Sequence, residues 1–173
     1  MDICYLYTSG KDGFDRFLIS IIDDHSRKIV ASGLYTQQTV CEVMEVLKAA
    51  VLKHGVPIQL VCDHGSQFTC SEFRRVCAAI GLEVDYAPPY YPQYKGKIER
   101  LFRTGREEMP SSDQPEIAAT LHSDWIDKYN QVRIHSAVTD KDGHAQPPQY
   151  RFDWKPSAAR PLPSEIKDRK SVV

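Results

Sequence analysis

The stretch IQLVCDHGSQF, residues 58–68, decides how this chain is read. Its first five residues are a short apolar run of strand-forming type, and the run ends in Asp63 beside a turn-making Gly65. A carboxylate at the tip of a buried strand has two explanations. Asp favours turns and helix starts, and a lone Asp-x-Gly needs nothing more. Alternatively the carboxylate holds a hard cation, which takes oxygen ligands from several parts of a chain. The second explanation requires partners elsewhere.

Working outward, Thr69 with Glu72 fits a capping box, and Phe73, Val76, Cys77 and Ile80 form an apolar stripe that Gly81 stops. A strand EVDYA, 83–87, follows. Upstream, Thr39 with Glu42 opens a helix whose face carries Val40, Val43, Met44, Leu47 and Val51 and which ends at Gly55. Before it lie three strand-like runs, 2–7, 16–23 and 28–35, joined by KDG (11–13) and DDHSR (23–27). Asp23 and Asp24 read as turn formers. The order β-β-β-α-β-α-β-α-α predicts a ribonuclease-H-like α/β fold. Its five-stranded mixed sheet is a three-strand antiparallel meander plus two parallel strands, flanked by helices.

Residues 87–96, APPYYPQYKG, hold three prolines and a glycine and read as a loop. A helix runs from Lys97 to about Met109 and stops at Pro110. Another starts near Asp113 and Pro115 with Ile117, Leu121, Trp125 and Tyr129 on one face. The expected division is a core over 1–139 and a proline-rich extended arm over 140–173 with little core of its own.

With 173 residues, the chain suits one domain, and its 42% hydrophobic and 26% charged content is that of an ordinary globular protein. It shows neither an apolar run of about 18 residues nor a signal-peptide pattern, so a reducing, cytoplasmic setting is expected. The five cysteines form no CxxC pairs, which argues against a disulfide framework or zinc ribbon. A net charge of -1 argues mildly against a free-standing nucleic-acid binder. Local charge reverses this: segment 95–106 sets Lys95, Lys97, Arg100, Arg103 and Arg106 against Glu99 alone.

The partners of Asp63 follow from the fold. It pairs the first strand, carrying Asp2, with the strand that ends at Asp63, and sites of open α/β sheets lie at such strand ends. Two aspartates brought together repel unless a cation intervenes. Glu99, in the first turn of the helix after the tyrosine loop, supplies a third acid, with 35 residues between it and Asp63. Arg103 and Arg106 share its face at i+4 and i+7, which by itself describes an ordinary surface pair.

Taken together, MDI (1–3), IIDDHSRKIV (21–30), CDHGSQFTCSEF (62–73), YYPQYKGKIERLFR (90–103) and YNQVRIHSAV (129–138) resemble the catalytic core of retroviral integrases and bacterial insertion-sequence transposases. That family has an Asp on its first strand, a second Asp in DNGSQF, and a Glu after 35 residues preceded by a P-Q-x-x-G loop. His64 departs from the family's usual Asn, and GHAQPPQY (143–150) replaces a usual Thr-Pro step. Members usually carry more strand upstream, so either a truncated first strand or an excised core is expected.

The resemblance implies DDE-type chemistry, in which DNA 3′ ends are nicked by water and joined to target DNA by a 3′-hydroxyl. It makes Asp2, Asp63 and Glu99 ligands of Mg2+ or Mn2+, two ions per site when DNA is bound. Gln67, Gln93, Tyr94, Lys95, Lys97, Arg100, Arg103 and Arg106 are the candidate DNA contacts, with Tyr90 and Tyr91 on the same loop. Expected partners are element ends and target DNA, further copies of the chain, and other domains of a longer protein, in a cytoplasmic, nucleoid-associated setting. The alternatives are a ribonuclease-H-like nuclease and an inactive DNA-binding fragment.

Overall fold

A computed structural model describes residues 1–6, 16–88, 95–154 and 159–163. The three opening strands, β1 (Asp2–Leu6), β2 (Arg16–Ile22) and β3 (Ile29–Tyr35), form the expected antiparallel meander in the order β1-β2-β3. β2 lies between the other two and is covered on both faces, so Leu18 and Ile19 are both fully buried. The β2–β3 turn is built by Asp23, whose carboxylate accepts from the Ser26 N–H at 2.7 Å and the Ser26 hydroxyl at 2.6 Å. Arg27 completes the turn in the left-handed region, φ 69°. Asp24 is exposed and instead ion-pairs with Lys97.

Helix α1 (Val40–His54) starts on the predicted capping box, with the Glu42 carboxylate accepting from the Thr39 N–H at 2.8 Å. It ends at Gly55, whose φ of 85° suits glycine. Val43, Val46, Leu47, Ala50 and Val51 bury its inner face against one side of the sheet. A short β4 (Val56–Pro57) leads into β5 (Gln59–Cys62), which pairs in parallel with β6 (Glu83–Tyr86). The backbone nitrogen of Met1 donates to Val61 O at 2.7 Å, so β1 runs beside β5.

Between β5 and β6 the predicted single helix is two: α2 (Ser66–Thr69) and α3 (Ser71–Ala79). Thr69 does not cap. Its hydroxyl donates back to Gly65 O at 3.2 Å within α2, and Cys70 takes the cap position of α3. The chain turns into helix immediately after Gly65, which spends Thr69 on that first turn.

On the other side of the sheet lie α4 (Gly96–Glu108) and α5 (Pro115–Gln131). Ile98, Leu101 and Phe102 of α4 and Trp125 and Tyr129 of α5 pack with Cys4, Leu6 and Leu18 of the sheet. The buried face of α5 is Ala118, His122, Trp125, Tyr129 and Asn130, whereas Ile117, expected inside, is 44% exposed. The polar members have partners on β3. His122 Nε2 is 3.0 Å from Ser32 Oγ, which is 2.8 Å from Ser20 Oγ. Asn130 accepts from the Ile29 N–H at 2.9 Å and donates to Ile29 O at 3.0 Å. Asn130→Ala strands both buried backbone groups, and we expect a loss of about 2–4 kcal/mol in urea unfolding. A change below about 0.5 kcal/mol would show that the pairing contributes little.

Past residue 139 the chain is not simply extended. β7 (His135–Thr139) and β8 (Ala145–Gln146) form a hairpin, α6 (Pro148–Trp154) follows, and β9 (Ala159–Arg160) pairs with β4. Pro148 sits at the first helical position, where a missing N–H costs nothing. Leu162 joins the core on the α1 side.

Candidate active site

Asp2 opens β1, and Asp63 follows directly on β5, so the adjacency of these two strands brings their carboxylates together. Asp2 is buried, with Oδ1 accepting from the Ile3 N–H at 2.9 Å. Asp63 Oδ1 accepts from the Gly65 N–H at 2.8 Å, the turn that the Asp-x-Gly sequence favours. The remaining oxygens converge on one cation: Lys95 Nζ lies 3.1 Å from Asp2 Oδ2 and 2.9 Å from Asp63 Oδ2.

The two carboxyls differ in environment. Burial raises the pKa of Asp2 against the pull of Lys95. Partial burial also pushes Asp63 upward, but the hydrogen bonds from Lys95 and the Gly65 N–H outweigh it, and its pKa is lowered. The same pair raises the pKa of Lys95 even though burial opposes its charge. Cys62 adjoins the aspartates, yet burial pushes its thiol up to about 11, so it remains part of the core. The ligand-type atoms gathered here are therefore carboxylate oxygens, the set that suits Mg2+ or Mn2+ and not a thiolate-seeking ion.

Gly65 allows the loop to close over this point. A Cβ there would lie 2.6 Å from Gln67 Nε2 and 2.9 Å from Asp63 Oδ1, which puts Gln67 beside Asp63. His64, outside the family pattern, stacks on Tyr86 with ring centroids 5.3 Å apart and an interplanar angle of 27°. Tyr86 in turn donates its hydroxyl to Phe68 O at 2.7 Å.

Glu99 stands in the first turn of α4, exposed, its N–H donating to Lys95 O at 2.9 Å. Its carboxylate is not gathered with the aspartates. Among the described residues, three ligand-type side chains come within 4.8 Å of one another only at Asp140, Asp142 and His144. That cluster is a turn: Asp140 Oδ1 accepts from the Asp142 and His144 N–H groups, each at 2.9 Å, and Gly143 lies within the turn at φ 86°.

Of the basic stripe, Lys97 pairs with Asp24, while Arg100 and Arg103 are exposed. Lys97 and Arg100 line one pocket with Arg27, Tyr129 and His135, a set that composition along α4 alone does not reveal. The Arg106 charge adjoins Cys4, two residues along β1 from Asp2. Lys95 was read from sequence only as a DNA contact, and no motif signals its position between two aspartates. Gln93, Tyr94, Tyr90 and Tyr91 lie outside the described residues.

This arrangement has relatives. Residues 24–114 match the TnsB C-terminal domain family. The chain is 30% identical over 112 residues to the retrovirus-related Pol polyprotein from transposon TNT 1-94 of Nicotiana tabacum, a match covering 64% of this chain and 8% of the polyprotein. It is 28% identical over 102 residues to the transposase for insertion sequence IS1202 of Streptococcus pneumoniae, covering 51% of this chain and 22% of that protein. The BIV integrase catalytic core domain superposes with a TM-score of 0.63 at 16% identity, covering 88% of this chain and 93% of that one. The HTLV-2 integrase catalytic core domain in complex with magnesium gives 0.60 at 15%, covering 87% and 93%. With the family match extending over more than half of its residues, and with the antiparallel meander and helices of the integrase core, the chain belongs to the integrase and transposase catalytic-core family.

Proposed function

We propose that this chain is a DDE-type catalytic core that nicks DNA at 3′ ends and transfers those ends to a second DNA. The observation that carries the reading is the convergence of Asp2 and Asp63, from separate strands, on a single cationic nitrogen at 3.1 and 2.9 Å. Asp2, Asp63 and Glu99 are the residues that hold Mg2+ or Mn2+, two ions once DNA is present. The magnesium in the HTLV-2 relative supports this choice. When bound, the divalent cation supplies Lewis acidity, activating a hydroxyl and offsetting charge on the leaving oxygen.

The side chains themselves do the binding and positioning. Asp63, with its lowered pKa, stays anionic at neutral pH. Gln67, Lys95, Lys97, Arg100, Arg103 and Arg106, with Gln93 and Tyr94 of the preceding loop, grip DNA phosphates and hold the scissile bond in line with its attacker. A direct displacement needs no covalent intermediate on the protein. The division into a core over 1–139 and an arm over 140–173, assembly of several copies on DNA, and added end-recognition domains in a cytoplasmic, nucleoid-associated protein complete the proposal. Among the described residues no helix is long and apolar enough to cross a membrane.

A branched duplex that places a 3′-hydroxyl beside the target phosphodiester tests this directly. By microscopic reversibility, a core that joins strands also resolves the joined product, without needing to recognise element ends. We expect Mn2+-dependent conversion of the branched duplex into rejoined target strand plus released end. Cleavage without rejoining identifies the nuclease alternative, and no conversion in either metal identifies the inactive fragment.

A further inference from the structure

The two aspartates each commit one oxygen to a backbone N–H, Asp2 to Ile3 at 2.9 Å and Asp63 to Gly65 at 2.8 Å. That leaves one oxygen from each, and both point at the same ammonium. We infer that Lys95 is a built-in rival for the divalent ion: its ammonium neutralises Asp2 and Asp63 through the same two oxygens a metal would use, and so sets how tightly the chain takes up metal. This rests on the metal-site reading above and adds to it an intramolecular competitor.

The competition is physically plain. An ammonium is a compact point charge with three donors, which makes it a fair substitute for a hard cation between two carboxylates. It brings one positive charge where a divalent ion brings two, so it yields to the ion but weakens the ion's net gain. Its side chain is only 21% exposed, so the contact is sheltered enough to matter. Lys95 also has somewhere to go. It precedes Gly96, around which a Cβ would meet nothing within 4 Å, at the start of the helix that carries Lys97 and Arg100. Once displaced, its ammonium joins that basic stripe. By reciprocity, whatever draws Lys95 off the aspartates tightens metal binding.

The test is isothermal titration of the full chain with Mn2+ alone, without DNA. Lys95→Gln should bind Mn2+ more tightly than wild type by about 5- to 150-fold, the usual span of coupling between two ligands. Equal or weaker binding overturns the inference, because the lysine would then be neutral toward the ion or supporting it. In EDTA, Lys95→Gln should also melt below wild type, since the two carboxylates repel, and Mn2+ should reverse that order. A melting point that does not fall in EDTA counts against the neutralising contact. Should the variant not fold, the wild-type protein still decides: the NMR signal of the Lys95 ε-methylene should move in step with uptake of diamagnetic Mg2+, and a stationary signal through saturation overturns the inference. Failure of the parent reading looks different, because then neither wild type nor Lys95→Gln takes up Mn2+ at all.

Discussion

Asp63→Asn is expected to lower metal-dependent resolution of the branched duplex by about 10³-fold or more while leaving the fold intact. The substitution keeps the side chain's shape. Its carbonyl oxygen can still accept from the Gly65 N–H, now at 2.8 Å from Asp63 Oδ1, so the turn after β5 survives. What disappears is the negative charge that Lys95 meets at 2.9 Å. The Asp63 side chain is 38% exposed, so losing that pair should cost little stability, less than about 1 kcal/mol. Activity and melting temperature therefore separate. Asp140→Asn provides the contrast, since Asp140 organises a surface turn and its loss should leave activity unchanged. Activity of Asp63→Asn within about tenfold of wild type would remove Asp63 from the catalytic set.

The second large effect lies in the acid limb of stability. His122 is buried against Ser32, and burial lowers its pKa to about 4. In the unfolded chain it takes up a proton near the ordinary value of 6.5. Between these two values the unfolded state binds more protons than the folded one, so stability is full above about pH 6.5 and falls as pH drops toward 4. The shift corresponds to about 3 kcal/mol, a large share of the stability of a domain this size. Urea midpoints measured from pH 7 to pH 4 should fall steeply for wild type and more gently for His122→Phe. Ser32 keeps its 2.8 Å hydrogen bond to Ser20 in that variant, so no hydroxyl is stranded. Parallel curves for the two proteins would assign the acid sensitivity to other groups.

His122 also marks where sequence reading stopped. The frame of the fold was legible because its signals are local: the Thr39–Glu42 box, the Gly55 stop, the Asp23 turn and the strand ending at Asp63 all stand as read. On α5, Trp125 and Tyr129 are buried as read, but the first turns were not legible. Apolar periodicity selected Ile117 and Leu121, but the buried positions are Ala118 and His122. A polar side chain is buried only when a distant partner satisfies it, and Ser32 and the Ile29 backbone lie about ninety and a hundred residues away. The same holds at the site. That Asp2 and Asp63 meet follows from β1 running beside β5, whereas no local pattern signals that Lys95 stands between them. The cap of α3 was misread for a steric reason, since the helical turn right after Gly65 uses Thr69 before it can serve as a cap. In the 140–173 arm, counting prolines as breakers hid Pro148 as a helix starter.

The amide of Asn130 meets both polar groups of Ile29 at the beginning of β3, the outermost strand of the meander. It thereby imitates one rung of a fourth strand. Open rims of sheets are where chains adhere to one another and grow into aggregates. Here the first rung of that rim is answered from within the same chain, and α5 lies along it. A chain that loses this amide should therefore turn sticky before it turns inactive.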